Sequence, residues 1–208
     1  MTPLTPTESA ISFGNLAINL FPECFNKLPN NFKEIADKAF EIADGKDPET
    51  KNIVLVKDET FDVDTFAGVL LFSIIKLSAN KRISSFYVTE KYYESNRFLI
   101  NLNHNYIDRL HSSSRCIALN NESRGLVFMD KINPNDKNYF WISLNSRNID
   151  IALVNDSDLL TTEDELELYR HMGRSNCNGL CIYVVGKDKK DQLLSRFDSD
   201  KYYLFEIC

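Results

Sequence analysis

The sequence predicts an α/β protein with a doubly wound, mostly parallel sheet that carries helices on both faces. Several short stretches are continuous runs of apolar residues, as in strands that are buried on both sides. These runs alternate with segments in which apolar residues recur at helical spacing. Such alternation is typical of parallel strands joined by crossover helices. With 208 residues, the chain is long enough for one such domain.

The beginning of the chain lacks this alternation. Residues 1–30 contain four prolines and are predicted to form an irregular N-terminal arm. Residues 31–208 are predicted to form the single α/β domain. Its first element is an amphipathic helix, because apolar residues recur at helical spacing from Phe32 to Ala43 and Gly45 suits the end of a helix.

Six apolar runs are predicted to be strands of the main sheet. They are Asn52–Val56, Ile83–Val88, Arg115–Asn120, Ile149–Val154, Leu180–Val185 and Tyr202–Ile207. Helices are predicted between them, at Phe66–Leu77 and at residues 92–110, 161–172 and 187–197. Two further apolar runs, within residues 126–144, predict either a small hairpin or an added edge of the sheet.

Composition narrows the function classes. The net charge of −6 argues against nucleic acid as the main partner, because binding to phosphates needs a basic surface. No run of roughly 18 apolar residues is present, so no membrane partner is expected. The N-terminus lacks the basic residues of a signal peptide, and the odd number of five cysteines favours free thiols. We therefore expect an intracellular protein, cytoplasmic or nuclear.

Acidic residues are concentrated at the predicted carboxyl ends of two strands, where parallel α/β sheets bind their ligands. Four of them lie between residues 58 and 64, and the segment "NDSD" follows the strand Ile149–Val154. Asp62 and Asp64 are two residues apart and offer the hard oxygen ligands that suit Mg²⁺ or Mn²⁺. The alternative is structural, with Asp64 or Thr65 as the N-cap of the next helix.

The order of residues around this cluster is more specific. An apolar strand is followed by Lys57-Asp58-Glu59-Thr60-Phe61-Asp62-Val63-Asp64-Thr65 and then by an apolar helix. This segment resembles the first motif of the DHH phosphoesterases, in the branch that holds cytosolic exopolyphosphatase, prune and manganese-dependent pyrophosphatase. In that motif the strand leads into Gly-Asn-Glu-x-x-Asp-x-Asp-Ser, so Lys57 and Asp58 replace its Gly and Asn. The resemblance covers residues 51–208, the family's first domain, and the later motifs match by strand order.

The resemblance also implies which metal ligands are lost. Asp62 and Asp64 match the aspartate pair of the first motif, but Asn155 stands at the aspartate of the second motif. Asp156 could replace that ligand only through a register shift of one residue. Gly186-Lys187-Asp188 stands where the family has Asp-His-His. We therefore predict a vestigial metal site of Asp62, Asp64 and Asp156, with no catalytic residues and no cofactor, although weak binding of Mn²⁺ or Mg²⁺ stays open.

The expected function is a catalytically inactive DHH-like domain that acts as a protein-interaction or scaffold subunit, with a protein partner or a homo-oligomer. The alternative is a metal-dependent phosphoesterase with a rearranged site, acting on pyrophosphate, polyphosphate or a nucleotide. That site would use Asp58, Asp62, Asp64, Asp156 and Asp158. A third interpretation, a small acidic inhibitor of the immunity type, is supported only by acidity and aromatic content.

Overall fold

The computed structural model describes residues 12–47, 50–77, 85–89, 126–130, 150–155, 157, 166, 169–170, 172 and 179–208. The described helices are α1 (Phe13–Leu20), α2 (Phe32–Ala43), α3 (Val63–Leu77) and α4 (Lys190–Leu194), with 3₁₀ turns at Pro22–Lys27 and Lys187–Lys189. The described strands are β1 (Asn52–Lys57), β2 (Ser85–Thr89), β3 (Leu126–Asp130), β4 (Ile151–Val154), β5 (Leu180–Gly186) and β6 (Tyr202–Ile207).

The described strands form one sheet in the order β3-β2-β4-β5-β1-β6, and every neighbouring pair is parallel. The predicted α/β fold with a parallel sheet is confirmed. Successive residues of β1 point to opposite faces, as in any strand. Ile53 and Leu55 pack in one core with α1, α2 and α3, whereas Val54 and Val56 pack in a second core with Leu193 of α4.

Residues 126–144 are predicted to form either a small hairpin or an added edge of the sheet, and the structure describes the first part of this segment. Strand β3 pairs with β2 in parallel, with Ser85 opposite Leu126 and Thr89 opposite Asp130. The first of the two apolar runs is therefore an added edge strand. The second run, at residues 139–144, lies outside the described residues, as do the strand predicted at Arg115–Asn120 and the helix predicted at residues 92–110.

The prediction of an irregular arm over residues 1–30 is wrong for its second half, which holds α1 and the first 3₁₀ turn. Pro22 stands at the start of that turn, where its missing N–H leaves no hydrogen bond unmade, so it delimits an element instead of breaking one. Ser12 caps α1 by accepting a hydrogen bond from the Asn15 N–H at 3.2 Å. Phe13 and Ala17 are buried, so the segment belongs to the core.

Helix α1 crosses α2 at very short range. A Cβ atom added to Gly14 would lie 2.5 Å from the Cα atom of Lys33, so only glycine allows the two backbones to approach this closely. The Gly14 N–H donates to Oδ1 of Asp37 in α2 at 2.8 Å.

Among the described residues, no helix combines the length and the apolar character needed to cross a bilayer.

Candidate functional site

The candidate site lies at the carboxyl edge of the central strands. Lys57 ends β1, Gly186 ends β5, and Asn155 directly follows β4. Because β5 lies between β1 and β4 in the sheet, these three strand ends are neighbours. Parallel α/β sheets bind their ligands at this edge.

Asp62 is the N-cap of α3. Its Oδ1 accepts a hydrogen bond from the Thr65 N–H at 3.1 Å, and the Thr65 hydroxyl donates to its Oδ2 at 2.6 Å. The first helical residue is Val63, so the prediction of Asp64 or Thr65 as N-cap is wrong by two or three residues. The buried side chain of Val63 belongs to the core, which draws the helix start toward the loop. Asp62 is then the residue that reaches the third N–H of the helix.

Asp64 lies in the first turn of α3 and has a different partner. It accepts a hydrogen bond from the hydroxyl of Tyr87 at 2.5 Å. Tyr87 is a fully buried residue of β2. This contact therefore connects the start of α3, which follows β1, to a strand that is separated from β1 in the sheet by β4 and β5. Tyr87 was not identified from the sequence, where it is one aromatic residue within an apolar run.

Asp58 follows β1 and forms an ion pair with Lys187, which follows β5. The hydrogen bond to Asp58 raises the pKa of Lys187, and the negative charge of the same carboxylate adds to the rise. Lys187 is the residue that stands in the segment compared above with Asp-His-His. The side chain at this position therefore binds a carboxylate directly, as a cation.

Lys57 joins the ends of two strands that are not neighbours in the sheet. Its ammonium donates a hydrogen bond to Oδ1 of Asn155 at 2.9 Å, so it joins the ends of β1 and β4 across β5. The Lys57 and Asn155 side chains are both half-buried. The sequence showed these two residues only as replacements within two separate motifs, and their contact was not predicted.

The predicted metal ligands can now be placed. Asp62 and Asp64 both lie at the start of α3, bound to Thr65 and Tyr87, and Asp156 lies outside the described residues. Within the described ranges, no group of three or more His, Cys, Asp or Glu side chains could hold a metal ion. With an ammonium on the Asn155 oxygen as well, the described residues by themselves do not fit the two-metal centre that the resemblance implies. The vestigial site stays a prediction.

An open cleft of about 430 Å³ borders the two carboxylates Asp58 and Asp62. One wall is the first 3₁₀ turn and the residue after it, which the sequence analysis assigned to an irregular arm. The other wall is the loop between β1 and α3. The remaining lining residues are Asn26, Lys27, Leu28, Thr60, Phe61 and Cys208.

No protein-family model matches this chain, and no curated protein is detectably similar to it in sequence. The relation to the DHH phosphoesterases therefore remains a proposal that depends on the residues quoted above.

Proposed function

We propose that this chain is a catalytically inactive domain of the DHH type that serves as a protein-interaction subunit. One observation carries the first half of the proposal. The three aspartates between the end of β1 and the first turn of α3 each bind a donor from the protein itself: Asp58 binds Lys187, Asp62 binds Thr65, and Asp64 binds Tyr87.

Hydrolysis by two metal ions requires ions about 3.5–4 Å apart, held by carboxylates that are available to them. Here an ion at these carboxylates would compete with the Thr65 hydroxyl for Oδ2 of Asp62 and with the Tyr87 hydroxyl for Oδ1 of Asp64. Both donors belong to fully buried residues, where weakening a hydrogen bond is costly. Asn155 offers only a neutral oxygen, which is a weaker ligand for a hard dication.

The second half of the proposal is supported by the exposed surface. Leu16, Phe25 and Leu204 are large apolar side chains that are 36%, 54% and 40% exposed. Leu204 lies on β6, which is the last strand in the order of the described sheet. Edge strands offer backbone groups for pairing with another chain. Asn31 covers part of this edge, because its Nδ2 donates to the Glu206 carbonyl at 2.9 Å.

Two measurements test the proposal. Phosphate release from pyrophosphate, polyphosphate and short oligonucleotides should stay at background with Mn²⁺ or Mg²⁺. Light scattering after size exclusion should give a mass above that of one chain. Leu204→Lys should return it to the monomer mass, whereas Asn19→Lys, on an exposed part of α1, should not. A monomer that releases phosphate, and loses this activity in Asp62→Ala, would instead favour the phosphoesterase alternative.

A further inference from the structure

We infer that Lys57 supplies, from within the chain, the positive charge that a metal ion would supply at the carboxyl edge of the sheet, and that it thereby excludes divalent cations. This inference rests on the proposed function, since it gives the physical reason why the edge would not assemble a metal centre. It concerns a residue that the sequence analysis treated only as a departure from a motif.

The first argument is the position of the ammonium. Lys57 is opposite Gly186 in the register of β1 and β5, and Asn155 follows Val154, which is opposite Tyr183. The Lys57 side chain therefore crosses β5 within the last few residues of that strand, between the levels of Tyr183 and Gly186, to reach its acceptor at 2.9 Å. An ion that bridges the ends of β1 and β4 would have to occupy the same space.

The second argument is the charge of the pair. With the glycine and aspartate of the motifs that the sequence resembles, these two positions would together carry −1. With Lys57 and Asn155 they carry +1. The net charge at this place on the edge is thus more positive by two units, and the side chains are half-buried, where water screens less than in bulk.

The third argument is the chemistry of the acceptor. The amide oxygen of Asn155 is the atom that would ligate a hard cation, and it already accepts from the ammonium. A dication on the same oxygen would lie within a few ångströms of Lys57, and the two positive charges would repel each other. The pair therefore holds β1 and β4 together and opposes metal binding with the same contact.

The test is a titration with Mn²⁺ alone, followed by the electron paramagnetic resonance signal of the free ion. Wild type should leave Mn²⁺ free up to millimolar concentration. The double variant Lys57→Met/Asn155→Asp should bind Mn²⁺ at least 100-fold more tightly, and Lys57→Met alone at least 10-fold. Lys51→Met removes an exposed lysine just before the other end of β1 and should behave as wild type.

Circular dichroism identifies which variants are folded. A folded double variant that binds Mn²⁺ no better than wild type would overturn the inference, and so would wild type that already binds Mn²⁺ as tightly as the double variant. Should the double variant not fold, the Lys57→Met titration decides by itself. Phosphate release by wild type, measured in parallel, would contradict the proposed function. The inference about Lys57 would still be decided by the Mn²⁺ titration.

Discussion

The N-cap of α3 gives the sharpest test of what the acidic segment does. Asp62→Ala removes the acceptor of the Thr65 N–H and the acceptor of the buried Thr65 hydroxyl. Loss of an N-cap costs about 1–2 kcal/mol, and loss of a buried hydroxyl's partner costs about 1 kcal/mol more. We expect the free energy of unfolding to fall by about 2–3 kcal/mol, which is roughly 5–10 °C in Tm for a chain of this size.

Asp62→Asn is the matched control. Asparagine is as good an N-cap as aspartate, and its amide can keep both contacts with Thr65 while losing the charge. We expect this variant to lose less than about 1 kcal/mol. The assay is urea denaturation followed by circular dichroism, in EDTA, so that no metal contributes through binding to the folded state.

The comparison between the two variants separates capping from metal ligation. If Asp62→Asn were as unstable as Asp62→Ala in EDTA, the negative charge would matter more than the hydrogen bonds, and the capping argument would fail. If Mn²⁺ raised the stability of wild type and Asp62→Asn removed that gain, the carboxylate would be a metal ligand. Neither result is expected from the contacts of Asp62.

Three further predictions concern other parts of the molecule. Gly14→Ala should lower the free energy of unfolding by about 1–3 kcal/mol, because the added Cβ would lie 2.5 Å from the Lys33 Cα. This clash should outweigh the higher helix propensity of alanine. Asn19→Ala, on the exposed side of α1, is the control and should be neutral in the same urea denaturation assay. Ser73→Ala should raise the stability by about 1 kcal/mol, since the buried Ser73 hydroxyl has no hydrogen-bond partner among the described residues; an unchanged or lower urea midpoint would contradict this. Lys187→Met should lower Tm slightly below pH 10.5. The difference should vanish as the pH rises through the raised pKa of Lys187 in the folded state, and also in high salt; a difference that persists in strong alkali would contradict the ion pair.

The fold could be predicted because its signal is local. Runs such as Ile53–Val56 and Leu180–Val185 are buried on both faces, and they read as unbroken apolar segments whatever their neighbours are. The strand order could not be predicted, because it depends on contacts between distant segments. The exact N-cap was also beyond the sequence: Asp64 and Thr65 were predicted, whereas Asp62, which has an equally suitable side chain, is the residue before the first helical residue, the buried Val63.

The contact between Lys57 and Asn155 in the candidate site could not be predicted for the same reason, since it joins distant segments of the chain. The two residues are 98 positions apart, and each is only a single departure from a motif when it is considered alone. Only the order β4-β5-β1 places a lysine at one strand end beside an amide at the other. The combined charge of Lys57 and Asn155 can be assessed only once the strand order is known. Counting lost metal ligands along the sequence does not give it.

The polar residues at this edge also have a structural consequence. Asp58 connects β1 with the end of β5, Asp64 connects α3 with β2, and Lys57 connects β1 with the end of β4. An edge that binds metal depends on a supply of ions to neutralise its carboxylates. Here the carboxylates accept hydrogen bonds from ammonium and hydroxyl groups of the chain itself, so no ion is needed for these contacts. We therefore expect Lys57→Met and Asn155→Asp together to give tighter Mn²⁺ binding than either change alone.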